Sequence, residues 1–121
     1  MLSVFSVSPC SIYTEPIYHF SGWKANCSLD SNLVFDPRFY LAEYNDLRCA
    51  FIKPGIKTFD VAAQHWCDHG VKEGRQGIAS YSSKAYLAIY GDLQKAFGNN
   101  NYVQATTHFI QYGFKENRIG N

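Results

Sequence analysis

Apolar side chains recur at i, i+4, i+7 and i+11 in two stretches of the chain: Tyr40, Tyr44, Leu47 and Phe51, then Tyr86, Tyr90, Leu93 and Phe97. That spacing places each set on one face of a helix and predicts that the stripe faces a core. Asp36 before Pro37 supplies an N-cap and a proline at the first helical position, and Ser82 or Ser83 serves the second stretch in the same way. Asn45 and Gly91, in matching places, predict that each stretch breaks into two short helices. A further helix is expected from about 58 to 69 and again from 101 to 112, stopped at Gly70 or Gly113 by a left-handed residue. Its core side would carry Phe59, Ala62, Ala63 and Trp66, then Tyr102, Ala105, Phe109 and Ile110. No segment alternates with a period of two, so the expected fold is all-α.

The two stretches are copies. YLAEYNDLRCAF (Tyr40 to Phe51) recurs as YLAIYGDLQKAF (Tyr86 to Phe97), an offset of 46 with eight of twelve positions identical. AAQHWCDHGVKEGRQG (Ala62 to Gly77) recurs as ATTHFIQYGFKENRIG (Ala105 to Gly120) at an offset of 43. GWKAN at Gly22 to Asn26 echoes GVKEG and GFKEN, as the worn second half of another copy would. The expected organisation is one domain over 1–121: a half repeat in 1–34, repeat 1 in 35–80 and repeat 2 in 81–121. In helical arrays of this period neighbouring units bury each other's apolar faces. Two full copies are few, so extra fastening is expected.

The cysteines are the obvious fasteners. Cys10, Cys27, Cys49 and Cys67 form an even set without CxxC spacing, which reads as two disulfides and an oxidising, extracellular setting. Cys49 and Cys67 correspond to Lys95 and Ile110 in repeat 2, so they serve something other than the repeat. The economical pairing ties each of Cys10 and Cys27 to one repeat 1 cysteine, in either order, and three connectivities stay formally open. The start, MLSVFSVSPC, lacks a basic leader region, so the expectation is a mature chain or one without its leader. The sequon Asn26-Cys27-Ser28 fits secretion, although a bridged Cys27 would compete with its glycosylation.

Composition narrows the function classes. The 121 residues are 46% hydrophobic and 17% charged, too apolar for disorder, and no apolar run is long enough to span a bilayer. A formal charge of +1 offers no electrostatic footprint for nucleic acid or an anionic membrane. Nine Tyr, nine Phe and two Trp make aromatics the outlier, so either rings fill the core or tyrosine is wanted for its chemistry.

Few residues carry a chemical signature. His65 and His69 stand one turn apart, and repeat 2 puts His108 and Tyr112 in their places; two such donors could hold zinc, but the Glu of HExxH is missing. The plainer expectation is that His65 and His108 bond a neighbouring backbone group and that His69 and Tyr112 end their helices in solvent. If a dimer axis passed Tyr112, two Tyr112 and two His108 could converge on one zinc ion. Lys24, Lys72 and Lys115 share one repeat position and read as surface charges. Asp46 and Asp92 are expected to accept backbone N–H bonds in helix-initiating turns. Glu73 with Arg75, and Glu116 with Arg118, read as ion pairs or loop clasps. There is no GxSxG, no phosphate-binding glycine loop and no reactive-thiol signature, so an enzyme is the least supported class.

The pattern YLxxYxDLxxAF, a histidine and then GxxEGR resembles tandem helical repeats of secreted and surface proteins, over residues 35 to 120. That resemblance implies a helical repeat and an extracellular setting and brings no single activity. Asn45 and Gly91 stand where many such repeats have proline, and Asn117 replaces the glycine of EGR, departures expected to alter loops rather than fold. In size, helicity, tyrosine content and disulfides the chain also resembles the blue chromoproteins of amphibian foam nests. That likeness implies a secreted homodimer with lysine–tyrosylquinone cross-links and zinc at the linked chromophore. Tyr112, Tyr13, Tyr18, Lys24 and Lys115 are then the cross-link candidates, and His108 with Tyr112 the metal candidates. The leading expectation is a non-enzymatic secreted structural protein working with foam or matrix components. The alternative is an unmodified extracellular binding module in which an exposed Trp23 stacks on a carbohydrate, or which takes a protein ligand.

Overall fold

A computed structural model of the chain describes residues 23–29 and 31–121. The described part is helical, with no strand beyond one isolated bridge between Ile78 and Tyr81. Repeat 1 holds α1 (Pro37–Glu43), α2 (Asn45–Phe51) and α3 (Thr58–His65), and repeat 2 holds α4 (Ser83–Ile89), α5 (Gly91–Phe97) and α6 (Tyr102–His108). The Asp36 carboxylate accepts from Arg38 N–H with Pro37 at the first turn, and Ser82, rather than Ser83, caps α4 by accepting from Ala85 N–H. The expected breaks fall one residue before Asn45 and Gly91. Tyr44 and Tyr90 are extended, at φ −118° and −111°, and each ends one helix while starting the next.

The helix stops differ from expectation. Beyond α3 and α6 the chain widens into a π-helical turn, Trp66–Gly70 and Phe109–Gly113, in which Val71 N–H reaches Trp66 O and Phe114 N–H reaches Phe109 O. Gly70 and Gly113 are not left-handed. The left-handed residues are Gly74 (φ 77°) and Asn117 (φ 61°), four places later. There Arg75 N–H bonds Gly70 O while Gly74 N–H bonds Val71 O, and Arg118 and Asn117 repeat both bonds. This is the Schellman pattern, and asparagine is the residue that best replaces glycine in it. The departure at Asn117 therefore leaves the loop intact.

Packing is organised within each repeat: α1 lies against α2 and α3, and α4 against α5 and α6. Asp36 N–H bonds Gly77 O at 2.9 Å and Ser82 N–H bonds Gly120 O at 2.8 Å, so each repeat ties its first residues to its last. Phe35, Tyr40 and Trp66 form one buried ring cluster, and Tyr81, Tyr86 and Phe109 form its counterpart. Of the predicted core residues Phe59, Ala62, Ala63, Trp66, Ala105 and Phe109 are buried, while Tyr102 and Ile110 are half-buried against them. The seam between repeats passes at Gly74, where an added Cβ would lie 2.9 Å from a ring carbon of Tyr102. In front of repeat 1, residues 23–29 run beside α3, with Lys24 N–H on Asp60 at 3.0 Å, Asn26 N–H on Gln64 at 2.9 Å, and a Cys27–Cys67 disulfide across a Cα separation of 6.1 Å. Cys49 is disulfide-bonded as well, and Cys10 lies outside the described residues.

Candidate functional site

Each repeat carries one polar cluster, built twice from the same residue types. In repeat 1, α1 delivers Tyr40 and α3 delivers His65, and the phenol oxygen meets the imidazole Nδ1 at 2.8 Å. In repeat 2, Tyr86 meets His108 at the same 2.8 Å. The histidine partner is thus a phenol on the first helix rather than a backbone group. Sequence spacing alone could not pair them, because the two residues are 25 positions apart in repeat 1 and 22 in repeat 2.

The glycines explain how the phenol gets there. A Cβ added at Gly70 would collide with Tyr40 Oη, and one at Gly113 with Tyr86 Oη. Clearance for a tyrosine, and not a left-handed backbone, is what this glycine supplies. Burial pushes the Tyr40 phenol far above its ordinary range and the Tyr86 phenol up to about 12. Burial also lowers the His65 pKa, helped by the Arg75 cation and by His69. A protonated phenol therefore donates to a neutral imidazole at His65, whose own proton sits on Nε2.

An arginine closes the cluster on its outer side. Arg75 reaches both Asp46 oxygens at 3.0 and 2.8 Å, bonds Glu73 at 2.8 Å, and lies 4.7 Å over the Tyr44 ring. Arg118 does the same with Asp92 at 3.0 and 2.9 Å, Glu116 at 2.9 Å and the Tyr90 ring at 4.7 Å. The guanidinium bonds, assisted by backbone N–H groups at the helix starts, hold both aspartates below the usual carboxylate range. The Tyr44 and Tyr90 hydroxyls accept from Gln76 and Ile119 N–H at 2.7 and 2.6 Å. GxxEGR is thereby accounted for residue by residue: clearance for the tyrosine, a carboxylate for the arginine, the left-handed stop and the clasp.

The other sequence candidates scatter. His69 and Tyr112 are exposed at their helix ends, with ring centres 5.4 Å from His65 and 5.6 Å from His108. Lys24, Lys72 and Lys115 are exposed. Tyr13 and Tyr18 lie outside the described residues. Trp23 is half-buried rather than exposed, edge-on to Phe35 at 5.9 Å. It borders a cavity of about 250 Å³ with Asn32, Phe35, Asp36, Arg38 and Ile78, a feature that no sequence motif announced. Among the described residues no three His, Cys, Asp or Glu side chains gather as a metal-holding group. Among the described residues His108 and Tyr112 bring two donors to this site, and His108 Nδ1 is already engaged by Tyr86. A zinc ion here would need donors beyond these two.

No family model matches the chain, and neither a curated protein nor a solved structure matches it.

Proposed function

We propose that this chain is a non-enzymatic, secreted structural protein, a stapled helical repeat that works in an extracellular foam or matrix. The observation that supports this reading is the duplicated cluster, in which the residues best suited to chemistry are spent on one another. Imidazole nitrogens hold phenols, guanidiniums hold carboxylates, and tyrosine hydroxyls hold backbone N–H groups, all to fix helix positions. The disulfide favours an oxidising compartment.

The finer form of this reading is a chromoprotein in which tyrosines and lysines are oxidised into quinone cross-links. Among the described residues Tyr112 is the tyrosine most open to such modification, 56% exposed, with Lys115 three residues on. The test is the intact mass and visible spectrum of reduced protein from its natural source. A covalent dimer that survives reduction, weighs less than twice the sequence mass and absorbs visible light supports cross-linking. A colourless chain at the sequence mass removes the chromoprotein form.

One observation favours a second reading, an unmodified binding module. The Trp23 cavity sets a half-buried indole beside carboxylate, guanidinium and amide groups, the mixture that stacks on and hydrogen-bonds a sugar. Saturable binding to a glycan panel, lost in Trp23→Ala, supports that reading, and a panel without binding removes it.

A further inference from the structure

One sequence motif plays no part in the phenol, imidazole and arginine clusters. Asn26-Cys27-Ser28 is the one Asn-x-Ser/Thr triplet in the 121 residues, the spacing at which an asparagine amide accepts an N-linked oligosaccharide. By repeat register Asn26 holds the place of Gly74 and Asn117, which are left-handed at φ 77° and 61°. Asn26 is not, since Asn117 is the one non-glycine residue with positive φ among those described. The backbone reason for an asparagine at 117 therefore does not account for the asparagine at 26.

Burial along this segment alternates residue by residue. Trp23, Ala25 and Cys27 pack against the core, while Lys24, Asn26 and Ser28 are exposed. The acceptor asparagine and the hydroxyl residue two places on thus both stand on open surface, and the residue between them is drawn inward by its bridge to Cys67. Residues 26–29 form a bend and turn outside any helix, the setting in which a chain accommodates a bulky group. Other groups hold the segment down: Lys24 N–H on Asp60, Asn26 N–H on Gln64 at 2.9 Å, and Leu29 N–H on the Cys27 sulfur at 3.3 Å. None of these bonds uses the Asn26 carboxamide, so a sugar on its nitrogen displaces nothing that they fasten.

We propose that Asn26 is an N-glycosylation site whose glycan coexists with the Cys27–Cys67 bridge. The oligosaccharide comes from a lipid-linked diphosphate donor. Its C1–N bond to Asn26 Nδ2 forms as the C1–O bond to phosphate breaks, the amide gives up one proton, and the lipid diphosphate leaves. Competition between bridge and sugar is then a matter of order. Cys67 lies 40 residues beyond Cys27, so at about 5–20 residues per second the triplet is made roughly 2–8 seconds before its bridging partner. The site rests on the secreted reading above, because the compartment that oxidises these thiols is also the one in which such transfer takes place.

The test is peptide mapping of unreduced protein from its natural source, before and after treatment with peptide:N-glycosidase. Treatment is expected to lower the mass of the peptide pair that holds the Cys27–Cys67 link and to turn Asn26 into aspartate. In the same chain secreted from cultured eukaryotic cells, Asn26→Gln and Ser28→Ala are each expected to lose the glycan completely, while Asn32→Gln keeps it. Bridged extracellular protein with an unmodified Asn26 would overturn the proposal and leave the secreted reading standing. A glycan found only on chains without the bridge, or one that survives Asn26→Gln, would also overturn it. Protein held inside the cell with reduced cysteines would overturn both.

Discussion

Repeat 1 and repeat 2 hold the same phenol–imidazole bond at 2.8 Å and the same two-pronged arginine–aspartate pair, while one residue past the buried glycine stands enclosed Val71 in one and exposed Phe114 in the other. Inside the repeat, each of these side chains has a partner, and loss of the imidazole would leave the hydroxyl of a buried tyrosine unmatched. Outside it, the requirement depends on the neighbour. Cys67 and Ile110 occupy one position, and the first answers with a covalent bond what the second answers with apolar contact. Gly74 and Asn117 occupy another, and only the one pressed against the next repeat must do without a Cβ. Constraint in this molecule thus follows the interior of each unit and the seam, and relaxes at exposed Asn117.

The largest effect is expected where the copies differ most. Cys27→Ala with Cys67→Ile gives repeat 1 the residue of repeat 2 and opens a loop of 40 residues, which should cost about 4 kcal/mol in urea unfolding. A cost under about 1 kcal/mol would mean that apolar contact seals the front of repeat 1 as well as the bridge does. Next come the positions where the copies agree. Gly70→Ala and Gly113→Ala each drive a methyl into a buried phenol oxygen and should each cost about 2–3 kcal/mol. Strongly unequal losses would break the equivalence of the two clusters.

The smallest expected effect is a pH dependence. His65 has a lowered pKa, so the unfolded chain takes up its proton first, and stability present above about pH 6.5 is lost as pH falls below it. Arg75 and His69 disfavour the charged ring, while Glu73 and Asp46 favour it and moderate the loss. The thermal midpoint should fall between pH 7.5 and 5.5, and His65→Gln should flatten that slope. An unchanged slope would show that the imidazole does not titrate against folding.

Local patterns made the helices readable before the fold was seen. The stripe, the Asp36-Pro37 start and the Asn45 and Gly91 positions all act within a few residues, and α1, α2, α4 and α5 follow them. The clasp was half legible. Repetition marked Tyr40, His65, Asp46 and Arg75 as one set, but their partners lie across the fold and no periodicity joins a phenol to an imidazole. Gly70 misled for a related reason: a glycine at a helix end normally signals a left-handed stop, and here it answers a side chain arriving from another helix. The Trp23 cavity had no signal, since its lining comes from three separated stretches of chain.

The bond from Asp36 to Gly77, and its twin from Ser82 to Gly120, also bears on how such a chain can lengthen. Because each unit is fastened to itself, the exposed residues 79 and 80 between the two units form a splice point. A duplicated segment arriving there would bring its own closure with it and interrupt none already made. Growth by whole modules is therefore the change this architecture tolerates most easily, and loss of part of a module the one it tolerates least.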